Sequence, residues 1–417
     1  MGTSPGSVRR PLAAAVLALA IAGCGGSPTS PSPTLSPSPT ASPGPTQSPT
    51  PSPMPTPTPT FVATGSMRDA RMDATATLLR DGKVLIAGGS TNADAYGRDA
   101  LASAELYDPA AGKFTPAGSM TTARAGATAT LLHDGRVLIA GGLGCRTQKC
   151  SPENVYGAGG GALASAELYD PATGKFSATG SMVIARANST ATLLPDGRVF
   201  FAGADGLATE VYDPTTGRFA RSGTVKAVYE TVEAVLVPGG KVLLVGPVQS
   251  GGPSAELDDP ASGKSTAISI NLPPGVLAAA ESNGVQSTPE TATSLKDGRV
   301  LLSIFDRLLT YDPVSGSFTQ SGSMAELGQW LEPATMLLPD GNVLIAGGLF
   351  IRQSDNVYVA TDHAGLYDSA TGFHLISSLG TPRDYETATL LPNGTVLIAG
   401  GVADDESGLS SAELFRP

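Results

Sequence analysis

A phrase of ten to fourteen residues recurs seven times along the chain. Its clearest copies are Thr77-Leu78-Leu79-Arg80-Asp81-Gly82-Lys83-Val84-Leu85-Ile86-Ala87-Gly88-Gly89 and Thr130-Leu131-Leu132-His133-Asp134-Gly135-Arg136-Val137-Leu138-Ile139-Ala140-Gly141-Gly142. Further copies centre on Asp196-Gly197, Gly239-Gly240, Asp297-Gly298, Asp340-Gly341 and Asn393-Gly394. Successive centres lie about 43 to 62 residues apart, the period of a propeller-type array. Each copy is two apolar runs joined by a two-residue turn. Asp-Gly, Asn-Gly and Gly-Gly suit that turn because both central residues need φ > 0. The second run, Val84 to Ala87 in the first copy, is apolar throughout and predicts a strand buried on both faces. A third element follows, as in Ala104-Glu105-Leu106-Tyr107-Asp108-Pro109 and Ala166-Glu167-Leu168-Tyr169-Asp170-Pro171. A Pro-x-x-Gly turn such as Pro171-Ala172-Thr173-Gly174 then leads into a short fourth strand, Phe114 to Met120 or Phe176 to Met182. Four antiparallel strands about every fifty residues make one propeller blade.

The last repeat, Thr387 to Phe415, supplies three strands. A fourth has a counterpart far upstream, in Phe61-Val62-Ala63-Thr64-Gly65-Ser66-Met67. Pairing the two completes seven four-stranded blades and leaves no open sheet edge at the junction. The predicted fold is therefore all-β, a seven-bladed propeller of four-stranded antiparallel blades over residues 61–417.

With these motifs in place, the chain resembles the bacterial kelch-repeat proteins, a family that includes the central propeller of galactose oxidase. The resemblance rests on the doublets Gly88-Gly89, Gly141-Gly142, Gly347-Gly348 and Gly400-Gly401. Tyr107, Tyr169, Tyr212, Tyr311 and Tyr367 match the family's tyrosine position. Phe114, Phe176, Phe219 and Phe318 stand where kelch repeats usually carry Trp. Blade four departs further, with Gly246-Pro247 for the doublet and Asp258 for the tyrosine, and blade five has Ser303-Ile304.

The first sixty residues read differently. Arg9-Arg10 precede an apolar stretch from Pro11 to Ile21 that is too short to span a membrane and has the layout of a secretory signal, residues 1–23. Its end, Ile21-Ala22-Gly23-Cys24, resembles a bacterial lipobox, which implies cleavage before Cys24 and lipidation of its thiol. Residues 24–60 are almost entirely Ser, Pro and Thr, a composition that predicts a disordered tether. The expected location is extracytoplasmic, anchored to a membrane through the N-terminal lipid alone. Of the remaining cysteines, Cys145 and Cys150 lie close together in one loop of blade two, and an exported chain favours a disulfide between them. A metal site there is the rival reading, with no His or third Cys near it. A net charge of −11 and a pI near 4.8 argue against nucleic acid as a partner.

Repetition separates scaffold from candidate site, because a residue present in most blades serves the blade. Counting back eight from the end of each first strand gives Arg71, Arg124, Arg186, Tyr229, Ser287, Trp330 and Arg383. The acidic position of the third strand reads Glu105, Glu167, Glu210, Glu256, Leu309, Gly365 and Glu413. Blades five and six lose both charges together, so the arginines and glutamates are expected to form buried structural ion pairs. The Asp-Gly and Pro-x-x-Gly turns fall on one face and are uniform. The opposite face carries the loops of unequal length, which is where binding is usually found. Trp330, in a broken arginine position, together with Arg352, Asp355 and His363, forms the candidate binding set. A loop that packs on itself is the alternative for these residues. Asp73, Glu233, Glu290, Glu332 and Glu386, near the starts of the inner strands, are placed to ring the channel mouth or to face its water.

No catalytic residue or cofactor is assigned. The copper-radical oxidases of the resembling family need two histidines, two tyrosines and a cross-linked cysteine. This chain offers His133, His363 and His374, of which only His363 falls on the loop face. The reading carried forward is a monomeric recognition module for a glycan or protein. A carbohydrate-active enzyme of mutarotase or hydrolase type and a structural envelope component stand as alternatives.

Overall fold

The computed structural model describes residues 58–92, 99–145, 160–203, 208–225, 233–249, 252–270, 291–304, 306–324, 330–352 and 357–417. The signal, Cys24, the tether, Cys150 and Asp355 lie outside them, as does the Cys145 side chain.

The described residues are all-β and include seven four-stranded antiparallel sheets. Sheet one runs Thr75–Leu78, Val84–Ala87, Ser103–Asp108, Lys113–Ser119. Sheets two to six repeat this order, with first strands at Thr128–Leu131, Thr190–Leu193, Glu233–Val237, Thr291–Ser294 and Ala334–Leu337. Sheet seven takes Thr387–Leu390, Val396–Ala399 and Ala412–Arg416 from one end of the chain and Thr60–Ala63 from the other. That last pairing runs from Thr60↔Arg416 to Ala63↔Glu413, with Phe61 and Phe415 ring centroids 5.1 Å apart. The first strand of each sheet neighbours the first strands of the sheets before and after it, and sheet seven returns to sheet one. This is the arrangement of a β-propeller.

Side-chain alternation on the second strands explains the core. Val84 and Ile86 pack with Leu397 and Ala399 between sheets seven and one, whereas Leu85 and Ala87 pack with Val137 and Ile139 between sheets one and two. Every residue of Val84–Ala87 is therefore buried, as its unbroken apolar run requires. The apolar core is distributed over the seams between sheets rather than gathered at one centre.

The glycine doublets end the second strands. Gly88, Gly141, Gly347 and Gly400 adopt φ of 68 to 70°, a left-handed conformation that glycine takes at no steric cost. A Cβ at Gly88, Gly141 or Gly400 would also collide with the carbonyl oxygen of Arg124, Arg186 or Arg71, each on the segment leading into the next sheet. The second glycine then donates its N–H to that same carbonyl: Gly89 to Arg124 at 2.9 Å, Gly142 to Arg186 and Gly401 to Arg71 at 2.8 Å. Where the doublet is lost, the strands run on. Gly246-Pro247 falls in a bulge of a long hairpin formed by Lys241–Gln249 and Gly252–Asp259. In sheet five, Ile304 pairs directly with Arg307. Two of the expected loops are also partly β. Leu143–Cys145 pairs with Gly160–Ala162, and Trp330–Leu331, Leu349–Arg352 and Val357–Ala360 form a small three-stranded sheet.

The repeated arginines complete the join. The Arg71, Arg124, Arg186 and Arg383 guanidinium groups lie 3.1, 3.2, 3.3 and 2.9 Å from Glu105, Glu167, Glu210 and Glu413. Each pair sits within one sheet's repeat. The Nη1 groups of Arg71, Arg124 and Arg383 donate to the carbonyls of Gly88, Gly141 and Gly400 at 2.8, 2.7 and 2.6 Å, and that of Arg186 donates to Gly203. Each glutamate also accepts two backbone N–H groups from the incoming segment, as Glu167 does from Thr121 at 2.8 Å and Thr122 at 3.1 Å. Burial pulls the Arg124 and Arg186 guanidinium groups down from their usual range, against the pull of Glu167 and Glu210. Removing one partner strands a buried charge. Glu167→Ala is expected to lower stability by about 3–5 kcal/mol in denaturant unfolding, and a loss below about 1 kcal/mol would contradict the buried latch.

Candidate functional site

Two residues after each of the five described arginine positions the chain enters the next first strand in a left-handed conformation. Asp73, Gly126, Asn188, Glu332 and Tyr385 have φ of 51, 58, 52, 52 and 56°. Their backbones link from sheet to sheet: Asp73 N–H donates to Tyr385 O at 3.3 Å, Gly126 to Asp73 O at 3.0 Å and Asn188 to Gly126 O at 3.0 Å. All five are half-buried and precede the innermost strands on the face opposite the Asp-Gly hairpins. They border the inner end of the ring. The backbone repeats while the side chains do not: a carboxylate, no side chain, an amide, a second carboxylate and a phenol. A left-handed φ disfavours a side chain by about 1–2 kcal/mol, and Gly126 shows that the fold works without one. Packing around the Asp73 carboxyl desolvates it and pushes it up to about 7, although the residue as a whole is only half-buried.

The expected binding set fares differently. Trp330 is 0% exposed, which corrects its assignment as a ring offered to a ligand. Its indole Nε1 donates to Gly347 O, the carbonyl that corresponds to the one each repeated arginine addresses. Its ring meets Phe373 and His363 edge-on, each at 6.1 Å. A Cβ on Gly365, at the glutamate position, would collide with the Phe373 ring. An aromatic wedge of Trp330 and Phe373 thus replaces the ion pair in sheet six, where both charges are absent together, as the cost of leaving one partner buried and unpaired favours. His363 is half-buried, lies 5.7 Å from Phe350 and shares a hydrogen bond between its Nδ1 and Thr361 Oγ1. Trp330 and His363 are brought together, but into packing. Arg352 ends the strand Leu349–Arg352, and its side chain lies outside the described residues.

Glu233 and Glu386 are buried rather than offered to solvent, and Glu290 lies outside the described residues. Burial raises Glu233 well above the usual carboxylate range. Glu386 is 5% exposed and is pushed up to about 7, burial outweighing nearby Arg383 and backbone amides. Its carboxyl fills a place that has a partner in sister seams. Beside Gly88, Gly141 and Gly400 stand the methyls of Met120, Met182 and Met67, but beside Gly347 stands Glu386 Oε1. The matching methionine is the shorter Leu379. Asn188 and Tyr385 escaped sequence analysis because no charge marks them. Alignment on the arginines, read two residues onward, would have found both.

Two measurements test these roles. Trp330→Ala is expected to cost about 3–5 kcal/mol of stability, and a variant as stable as the parent would return Trp330 to the ligand candidates. Glu386 keeps its proton in the folded chain from its usual 4.5 up to about 7, so its contribution is most favourable below pH 4.5 and is lost as pH rises through 7. Relative to the parent, Glu386→Gln should gain on the order of 3 kcal/mol at pH 8 and nothing at pH 4. Equal effects at both pH values in denaturant titrations would contradict the assignment.

Among the described residues, no group of three or more His, Cys, Asp or Glu side chains is placed to hold a metal ion. His133 is exposed at a hairpin of sheet two, His374 is exposed on the strand Gly372–Leu375, and His363 is enclosed by Trp330 and Phe350. That donor set does not fit a copper centre. No protein-family model matches the chain, and no curated protein matches it. Solved structures of similar fold include a novel fungal alcohol oxidase with catalytic diversity among the AA5 family, in complex with copper. It is 16% identical with a TM-score of 0.62, covering 86% of this chain and 76% of that one. YjhT is 13% identical with a TM-score of 0.53, covering 84% of this chain and 95% of that one. At these identities the likeness establishes the fold alone, a β-propeller.

Proposed function

We propose that the chain is an extracytoplasmic recognition module, tethered through lipidated Cys24 and the Ser/Pro/Thr segment, whose propeller binds a glycan or a protein. In this reading the seven sheets are the blades of one closed, monomeric, seven-bladed ring. The observation that carries it is the set Asp73, Asn188, Glu332 and Tyr385: unlike side chains held on a repeated left-handed backbone at the inner end of one face. Retaining side chains where glycine suffices costs stability, and proteins tolerate such strain mainly at functional positions. The donor and acceptor variety of a carboxylate, an amide and a phenol suits hydroxyl-rich or peptide ligands. The alternative of a carbohydrate-active enzyme is favoured by one feature, the Asp73 carboxyl at about 7 on the backbone next to Tyr385.

Asp73→Gly, Asn188→Gly and Tyr385→Gly separate ligand role from scaffold role. Each variant of the full chain is expected to be as stable as the parent or up to about 1 kcal/mol more stable. Binding to an immobilised glycan and surface-protein panel should weaken at least tenfold, about 1.4 kcal/mol. Variants that lose stability and keep their binding profile would refute the reading. Turnover of a glycan that vanishes in Asp73→Asn would decide for the enzyme. Cys24→Ala should move the protein out of the membrane fraction, and continued membrane association would remove the lipid anchor.

A further inference from the structure

Sheet four breaks the repeat at a position that concerns neither the inner ring nor the loops. In sheets one, two, three and five, a third-strand tyrosine faces a fourth-strand phenylalanine. These are Tyr107/Phe114, Tyr169/Phe176, Tyr212/Phe219 and Tyr311/Phe318, with ring centroids 4.8, 4.9, 4.8 and 4.8 Å apart. The tyrosines point into the seam with the preceding sheet. Tyr107 Oη lies 2.8 Å from Thr64 Oγ1, and Tyr212 Oη lies 2.8 Å from Thr179 Oγ1. In sheet four the same register sets Asp258 opposite Ser265. Two ring side chains give way to two short oxygen-bearing ones.

Asp258 is 0% exposed, and neither of its carboxyl oxygens has a hydrogen-bond partner. Glu256, two residues earlier and so on the same strand face, is also 0% exposed, and Ser265 Oγ donates to its Oε2. The charged side chains adjoining it, Asp259 and Glu256, are both carboxylates. An isolated ionised carboxylate is among the most costly groups to bury, and nothing in the sister repeats requires one at this position. A site of two carboxylates and a hydroxyl is all oxygen. It suits a hard cation of flexible coordination, which completes its shell with water and carbonyls, better than zinc or copper, which prefer nitrogen and sulfur.

We propose that Asp258, with Glu256 and Ser265, binds a divalent cation of the calcium class in the seam between sheets three and four, where it takes the place of the tyrosine–phenylalanine pair as the link between them. Two carboxylates match the charge of one such ion. With so few protein ligands, the affinity belongs with extracellular modules, about 10⁻⁴–10⁻³ M.

The test uses the full chain after chelator treatment. Titration with calcium chloride by calorimetry should show one ion per chain. Thermal unfolding should move up by several degrees in millimolar calcium, while potassium chloride at equal ionic strength leaves it unchanged. Asp258→Asn should lose both responses. The double variant Asp258→Tyr, Ser265→Phe, which restores the sister ring pair, should be stable and indifferent to calcium. No specific calcium binding, undiminished binding in Asp258→Asn, or tighter binding of magnesium than calcium would each overturn the proposal.

Discussion

The close approach of one peptide to another, at the end of each second strand, is the constraint on which the rest of this propeller depends. Gly88, Gly141 and Gly400 let the backbone of the next sheet's arginine segment come so near that no Cβ would fit. That approach brings the arginine carbonyl within 2.8 to 2.9 Å of the second glycine's N–H. The arginine is thereby held at both ends. Its peptide is fixed to the sheet before, and its guanidinium to the glutamate and carbonyls of its own sheet. Seams between sheets are apolar and non-directional, so this polar joint supplies the orientation that packing alone leaves open.

The exceptions follow from the same physics. A buried guanidinium without a carboxylate is strongly unfavourable; the fourth repeat, with Tyr229 at the arginine position, keeps Glu256 as an acceptor for Ser265 Oγ, whereas the sixth abandons both members. Sheet six does so with Trp330, Phe373 and Gly365, keeping a donor to the Gly347 carbonyl while filling the space with rings. At the seam between sheets six and seven, a methionine becomes Leu379 and the carboxyl of Glu386 occupies the methyl's place. Volume is conserved at the expense of burying an acid, which then keeps its proton to about pH 7.

The inner ring shows where the repeat leaves freedom. Two positions after the latch arginine, or after Trp330 where it stands in for one, the chain takes the same left-handed conformation whatever its side chain. Asp73, Asn188, Glu332 and Tyr385 inherit a rigid mount rather than a flexible loop. A rigid mount limits the entropy lost when a ligand is bound.

The sequence by itself determined the repeat, its period and its four-strand unit, because strand pairing is written locally in apolar runs and Asp-Gly turns. The pairing of the upstream segment at Phe61 with Phe415 was legible from the strand count. So was the coupling of arginine to glutamate, since repeats five and six lose both together. Tertiary structure decided what local pattern does not encode. Trp330 looked like an exposed anchor because it broke the arginine pattern. Only the geometry of Gly347, Gly365 and Phe373 shows it to be the buried replacement. Asn188 and Tyr385 carry no motif, and their membership of the ring rests on backbone conformation and on hydrogen bonds from sheet to sheet. Asp258 reads in sequence as a degenerate tyrosine. Its two unpartnered oxygens emerge only when Ser265, set opposite by the register, is seen to leave them so. Sequence fixes what each residue is and which strand it joins, while burial and partnership depend on residues far along the chain that only folding brings near.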